Sequence, residues 1–321
     1  MCRSPDSAPC RPYSEAVRDD LGQTYRQLRP YAFAIAYRML GTVTEAEDVV
    51  QDAFVRLGQA VEAEIRSPKA YLATVTTRLA LDVLRSARVQ RESYAGPWLP
   101  EPLPDGTAIG AVADGAVAAE LADSLSMAFL VVLESLSPVE RAAFLLHDVF
   151  GYDYAEIAAI LDKSEPNVRQ ITSRARRRVH DNRPRFEASR EQRDRLAEKF
   201  FAACQGRDMD GLVQLLADDA ALYGDGGTKG AGINRPIFGR DNVAQMLLTW
   251  FRLGEREDVR VEAAWVNGQP GAMMRDPLGR LVNVIALDIS GGEIHTVRSV
   301  INPDKLSHLG PLSPLNRRRS D

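Results

Sequence analysis

Apolar positions recur at helical spacing from about Thr24 to Glu92, as in Val49, Ala53 and Leu57, and again in Leu72, Val75, Leu79 and Val83. This pattern predicts a helical domain over 21–95. Pro68 after Ser67 marks a helix start there, because a first turn does not use the missing N–H and the serine hydroxyl can cap it. Pro5, Pro9 and Pro12 interrupt any periodicity near the start, so 1–20 is expected to be a disordered tail. Pro97, Pro100, Pro102 and Pro104 exclude a helix after Gly96 and predict a linker over 96–122. Helical periodicity resumes at Leu125 and runs to about Glu187, which predicts a second helical domain over 123–187.

Beyond Arg190 the period changes. Two helical segments, about 191–204 and 208–216, and a third over 242–253 precede or interrupt a period-two pattern, clearest at Val259, Val261, Ala263 and Trp265. Asn267-Gly268, Pro277 to Gly279 and Gly291-Gly292 supply tight turns between strands near 271–276, 280–289 and 293–300. The fold class is therefore multidomain. Two all-α domains precede an α+β cone over 190–310, a curved antiparallel sheet wrapped around helices, with a tail over 311–321.

Composition narrows the function classes. Across 321 residues, 45% are hydrophobic and 26% charged, an ordinary globular mix. The net charge of -4 excludes a uniformly basic coat, so any nucleic-acid contact must come from local segregation of charge. Cys2, Cys10 and Cys204 have no zinc or disulfide spacing, and no stretch reads as a signal peptide or membrane span, so a cytoplasmic protein is expected. His147, His180, His295 and His308 are scattered without ligand spacing, and no phosphate-binding glycine motif precedes a helix. No metal and no cofactor are expected.

The strongest local signal lies at 154–178. Tyr154 to Leu161 reads as one helix, Asp162-Lys163-Ser164 as a turn and Glu165 to Arg178 as a second helix. Ile157, Leu161, Val168 and Ile171 supply the seam, with Ala158 small at the crossing. Asp162 stands where such motifs commonly have glycine and needs a left-handed conformation. Over Lys163 to Arg185 eight bases oppose two acids, a net +6 on a scale suited to a DNA groove. A solvated basic helix is the competing reading.

With these residues in view, about 20–185 resembles the extracytoplasmic-function group of the sigma-70 family. Ala46 to Leu57 looks like the helix that docks on the polymerase clamp, with Val49, Ala53 and Leu57 inward and Asp48, Gln51, Asp52 and Arg56 left for the partner. Ser67 to Leu72 and the helix to Arg91 resemble the segment that reads the -10 element, a net +4 over Arg66 to Glu92. The resemblance implies -10 contacts from Arg78, Asp82, Arg85, Arg88 and Arg91. Leu136 to Arg141 and the helix-turn-helix resemble the -35 module, implying contacts from Ser164, Glu165, Asn167, Arg169, Gln170, Ser173, Arg174 and Arg177. The implied partners are core RNA polymerase, through its beta-prime clamp helices and beta flap, and promoter DNA. The acidic linker, with Glu101, Asp105, Asp114, Glu120 and Asp123 and no base, would occupy a nucleic-acid channel of the enzyme by mimicking phosphate charge.

Residues 190–310 look like the SnoaL-like members of the nuclear-transport-factor-2-like superfamily, with Phe238 to Val243 as the lead into the third helix. A subgroup of these sigma factors carries such an extension together with three motifs, which stand here as Trp98–Pro102, Asp225-Gly226-Gly227-Thr228-Lys229 and Asn302–Leu306. Their co-occurrence implies regulation in cis, without membrane attachment and without need of a separate anti-sigma factor. The implied regulatory interface comprises Trp98, Pro100, Asp225, Gly226, Gly227, Lys229, Asn302, Pro303, Asp304, Lys305 and Leu306. Tyr223, Trp250, Trp265, Asp288 and His295 are candidate pocket residues, but they form no catalytic constellation, so the chain is read as not an enzyme. Two other readings stay open. One is a ligand-sensing helix-turn-helix regulator acting without a sigma role, and the other is an enzyme fused to a DNA anchor.

Overall fold

The computed structural model describes residues 13–60, 65, 67–92, 94, 96–105, 124–182, 189–233 and 235–317. The first module is three helices, α1 (Tyr13–Leu40), α2 (Val43–Gln59) and α3 (Pro68–Glu92). Helix α1 thus begins within the 1–20 segment expected to be a tail; residues 1–12 lie outside the described part. Helix α2 buries Val43, Ala46, Val49, Val50, Ala53 and Leu57, the inward stripe that the heptad-like spacing predicts. Helix α3 starts as expected, with the Ala70 N–H donating to Ser67 Oγ at 3.3 Å.

The second module holds α4 (Met127–Leu133), α5 (Pro138–Phe144) running into a π turn (Leu145–Val149), α6 (Tyr154–Leu161) and α7 (Glu165–Asn182). Ser137 with Glu140, and Asp153 with Glu156, form reciprocal capping boxes that fix where α5 and α6 begin. Helix α6 ends at Asp162 in the left-handed region, φ 52°, as the turn chemistry required.

The two helical modules are not held apart by a free tether. A single apolar core joins Phe33, Ala36, Tyr37 and Leu40 of α1 to Phe129, Leu130, Leu133, Phe144 and Leu145 of the second module. Residues 96–105 of the linker are docked rather than free, and residues 106–123, including Asp114, Glu120 and Asp123, lie outside the described part.

The C-terminal domain is α8 (Arg190–Gly206), α9 (Met209–Leu215), β1 (Leu216–Asp225), β2 (Ile237–Phe238), α10 (Arg240–Arg256), β3 (Arg260–Val266), β4 (Gln269–Arg275), β5 (Leu281–Ser290), β6 (Glu293–Val300) and α11 (Pro303–Leu306). The sheet runs β2-β1-β6-β5-β4-β3, antiparallel except for the parallel pair β1 and β6, so the expected wholly antiparallel sheet is mixed. That parallel pair follows from chain path, because β1 and β6 are separated by four other strands and α10 and need no hairpin. Strand β5 is buried on both faces. Ile285, Leu287 and Ile289 pack towards Phe200, Leu212, Leu247 and Phe251 of the helices, whereas Val284 and Ala286 face a second cluster with Leu99, Met127 and Leu306.

The segment expected to be a C-terminal tail is also built in as far as Arg317. Leu281 N–H donates to Pro311 O at 2.8 Å, Ser313 N–H returns to Leu281 O at 2.9 Å, and Ala231 N–H reaches Asn316 O at 3.1 Å. Among the described residues no helix is long and apolar enough to cross a membrane.

Candidate nucleic-acid interface

Helix α2 presents Asp48, Gln51, Asp52 and Arg56 on its exposed face, with Val55 at 52% exposure among them. The start of this helix is capped from an unexpected source. Thr42 spends its hydroxyl on Glu45 (2.5 Å), and the carboxylate of Glu101, in the linker, accepts the Val43 N–H at 2.7 Å. No sequence signal points to this cap, because its two halves lie far apart in the chain.

On α3, Asp82 and Arg85 are exposed and paired to each other at 3.2 Å. Arg78 is engaged elsewhere, donating to the Ile160 and Ala159 carbonyls of α6, each at 2.9 Å. The Arg88 and Arg91 side chains lie outside the described residues.

The helix-turn-helix is assembled as its spacing predicts. Ile157, Val168 and Ile171 are buried together with Ala143, Leu146 and Ile160, and Ala158 is 9% exposed at the crossing. This seam turns Ser164, Asn167, Arg169, Gln170, Ser173, Arg174 and Arg177 to solvent, with Glu165 half-buried. Glu165 and the Tyr154 ring hold Arg169, at 2.5 Å and 4.4 Å. Arg176 and Arg178 are drawn into ion pairs with Asp148 (2.7 Å) and Glu140 (3.1 Å), so part of the +6 charge fastens α7 to its own module.

The three motifs, one of them within the linker, meet at Asp225, which is fully buried. Its carboxylate accepts from Tyr94 Oη (2.5 Å), Leu99 N–H (2.8 Å), Gly227 N–H (3.1 Å) and Lys305 Nζ (2.7 Å). Lys305 also donates to Leu99 O and lies over the rings of Trp98 (4.2 Å) and Tyr94 (4.9 Å). Asn302 Nδ2 donates to Tyr94 Oη at 2.8 Å, and Lys229 pairs with Asp304 at 2.9 Å on the surface. Pro100, Pro303 and Leu306 are buried in the same seam, and Gly226 leaves no room for a Cβ beside Gly232.

Farther along, the linker pairs with the end of the sheet. Asn267 N–H donates to Leu103 O (2.8 Å), Leu103 N–H to Asn267 Oδ1 (2.9 Å) and Asp105 N–H to Trp265 O (2.8 Å). Asn267 Nδ2 continues to Tyr37 Oη (2.7 Å) and Leu125 O (3.0 Å), touching both helical modules. The sequence marks Asn267 as a hairpin residue only. Its second role lies in the buried side chain, 1% exposed, whose amide meets the linker and both helical modules.

Beside this junction His308 Nε2 contacts Pro102 O at 2.9 Å, and His308 Nδ1 lies 3.8 Å from the Glu101 carboxylate. Burial pushes the Glu101 carboxyl up to about 7 and pushes the His308 imidazole below its ordinary value.

The candidate pocket residues do not converge. Leu222 and Leu287 take the concave side of the sheet, so strand alternation sends Tyr223 and Asp288 to the opposite face, where Arg298 meets both. Trp265 donates to Asp194 at 2.8 Å and is stacked by Arg190 at 3.8 Å, Trp250 packs on the helix side of the core, and His295 sits 3.6 Å from the exposed Asp219. A cavity of about 530 Å³ opens instead among Cys204, Phe251, Val259, Val261, Met274 and Pro277.

A basic helix-turn-helix in the second module, a three-helix first module and the linker that joins them define a promoter-recognition subunit of RNA polymerase. Residues 24–89 match the family model for sigma-70 region 2, and residues 126–179 match that for sigma-70 region 4. The chain is 34% identical over 304 residues to the ECF RNA polymerase sigma factor SigJ of Mycobacterium tuberculosis, covering 92% of this chain and 95% of that protein. It is 31% identical over 293 residues to the probable ECF RNA polymerase sigma factor SigI of the same species, covering 91% and 96%. The crystal structure of the M. tuberculosis SigJ superposes with a TM-score of 0.70 at 32% identity, covering 91% of this chain and 99% of that one. The chain belongs to the extracytoplasmic-function RNA polymerase sigma factors. A regulator acting without a sigma role is not favoured.

Proposed function

We propose that this sigma factor recruits core RNA polymerase through the α2 face of Asp48, Gln51, Asp52 and Arg56, at the beta-prime clamp helices, and sets its second module on the beta flap. Residues 21–95 then act on the -10 element, with Arg78, Asp82, Arg85, Arg88 and Arg91 towards the opened strand. Residues 123–187 read the -35 duplex through Ser164, Glu165, Asn167, Arg169, Gln170, Ser173, Arg174 and Arg177. The linker over 96–122 enters the enzyme's nucleic-acid channel when it is released, its carboxylates standing in for phosphate.

The C-terminal domain, over 190–310, is a SnoaL-like cone that regulates this activity in cis, without a separate anti-sigma factor, from the cytoplasm and without catalysis. The observation that carries this reading is the buried Asp225, whose partners come from the linker, from its own loop and from α11 at once. A linker held by the C-terminal domain is not at the same time free to thread through polymerase. Being tethered, the domain meets its surface at an effective concentration near millimolar, so modest contacts suffice.

The test is promoter-specific transcription in vitro with core polymerase, comparing the full chain, Asp225→Ala and a chain ending at Arg190. The expected result is initiation by all three with altered output from the latter two. Equal output from all three removes regulation in cis, and absence of core association at low salt removes the polymerase assignment.

A further inference from the structure

Two arginines cross the boundary between the helical modules in opposite directions, and both end on the free carbonyls of a helix C-terminus. Arg78 of α3 forks onto Ile160 O and Ala159 O in the last turn of α6, each at 2.9 Å. Arg141 of α5, only 3% exposed, reaches Met39 O in the last turn of α1 at 2.7 Å. Both receiving helices stop at a left-handed residue, Asp162 after α6 and Gly41 after α1, which leaves carbonyls of the final turn without an intrahelical partner. A guanidinium is suited to this role, with several donors in a fixed plane and a charge favoured at the negative end of a helix.

We infer that Arg78 and Arg141 form a reciprocal capping lock that holds the two promoter-reading modules closed, and that breaking the Arg78 fork is a required step before α3 takes the -10 strand. The inference rests on the proposed assignment of α3 to the -10 element and α7 to the -35 duplex. The nominal positions of those elements differ by about 25 base pairs, roughly 85 Å of duplex at 3.4 Å per pair. An α3 side chain bonded to α6 cannot persist across that span. The same guanidinium therefore serves either the lock or the DNA strand.

The rest of the closed molecule fits a waiting state. The α2 face and the exposed side of α7 are both open to solvent, so polymerase docking and -35 reading remain accessible while α3 is held. Carbonyl acceptors suit a reversible lock, since water replaces the arginine when the modules part and no buried carboxylate is stranded. Tyr31 Oη and Tyr152 Oη, 2.7 Å apart, add a third polar contact across the same seam.

The experiment measures distances between spin labels at Ser86→Cys and Lys163→Cys in the full chain with Cys2→Ser and Cys10→Ser, Cys204 being buried. Arg78→Ala and Arg141→Ala are each expected to raise the ratio of separated to closed molecules by about tenfold, the equivalent of 1.4 kcal/mol. Glu134→Gln, which neutralises the carboxylate that Arg141 meets within its own module at 2.7 Å, is expected to leave the distribution unchanged. With core polymerase, Arg141→Ala should also raise capture of a forked -10 oligonucleotide. Distributions like the parent's in both arginine variants overturn the lock. Failure of the unsubstituted holoenzyme to retain the oligonucleotide overturns the assignment of α3, while the distances still judge the lock on their own.

Discussion

Lys305 Nζ lies 2.7 Å from Asp225 Oδ2, with the lysine side chain 6% exposed and the aspartate side chain fully buried. The pair belongs to one domain, yet both charges also bind the linker, so it is a fastener between the C-terminal domain and the sigma modules. Removing one member of a buried pair leaves the other charge uncompensated, a loss of about 3–5 kcal/mol. Asp225→Ala strands the ammonium against Leu99 O and two rings. Lys305→Met leaves Asp225 with Tyr94, Leu99 and Gly227. Asp225→Ala should therefore loosen the linker more than Lys305→Met, read as faster amide exchange at Leu99 and Gly227. Exchange as slow as the parent's in both variants would show that the ion pair does not fasten the linker.

The helices and the helix-turn-helix were legible because local spacing and capping residues determine them. Val168 and Ile171 lie on one side of α7 whatever surrounds it. Tyr223 and Asp288 misled as pocket residues because aromatic and acidic character says nothing about which face of a strand is concave. Leu222 and Leu287, the neighbours of Tyr223 and Asp288, settle that by taking the interior. The Glu101 cap on α2 and the Arg78 fork on α6 were illegible for a different reason, since each joins segments that no periodicity relates.

Proton uptake by Glu101 should tighten the linker junction as pH falls through neutrality. The Glu101 carboxyl, raised by burial to about 7 in the docked state, binds a proton there more readily than when released. Docking therefore strengthens as pH falls from about 8 through 7, and this gain is lost as pH rises. Below about 6.5 the depressed His308 works the other way, because the docked imidazole resists the charge that a released one accepts. Glu101→Gln keeps an acceptor for Val43 N–H and removes the titration. Its amide protection over residues 99–105, corrected for the base-catalysed intrinsic rate, should be flat between pH 7 and 8, where the parent's rises on acidification.

Charge reversal on α2 separates polymerase binding from folding. Asp52 is exposed and makes no inward contact in the stripe of Val49, Ala53 and Leu57, so Asp52→Arg should leave the thermal midpoint within about 2 °C. Affinity for core polymerase should fall at least about tenfold, the size of effect expected for one well-placed interface charge. Titration of labelled sigma factor with core enzyme reads this directly. Undiminished affinity would remove Asp52 from the docking face.

Arg174 is exposed on α7 and, unlike Arg176 and Arg178, has no ion pair among the described residues. Arg174→Ala is expected to weaken -35 duplex binding by holoenzyme. If Arg174 contacts phosphate, the salt dependence should also shallow by about one unit and the loss should be uniform across sequences. If it reads a base edge, the loss should concentrate at one base pair, at about 1–3 kcal/mol. Competition with single-base-pair variants at two salt concentrations distinguishes the two.

Gly41 joins the conformational requirement of a turn to the docking of the linker. Its φ of +72° closes α1, and a Cβ built there would meet Trp98 Cη2 at 2.5 Å. Gly41→Ala therefore carries two costs of different origin. The left-handed backbone costs about 1–2 kcal/mol whether or not the linker is docked. The collision with the indole arises only when Trp98 lies in place over the turn. Trp98→Ala removes the collision along with the ring's contact with Lys305. Measured as the docked fraction of the linker, Gly41→Ala should thus be strongly disruptive in the parent and nearly neutral in the Trp98→Ala background. Measured as stability of the first helical module, it should cost the same in both, because the backbone strain does not depend on the ring. Additive effects on linker docking across this double-mutant cycle would mean that Trp98 does not dock on the α1 to α2 turn in solution.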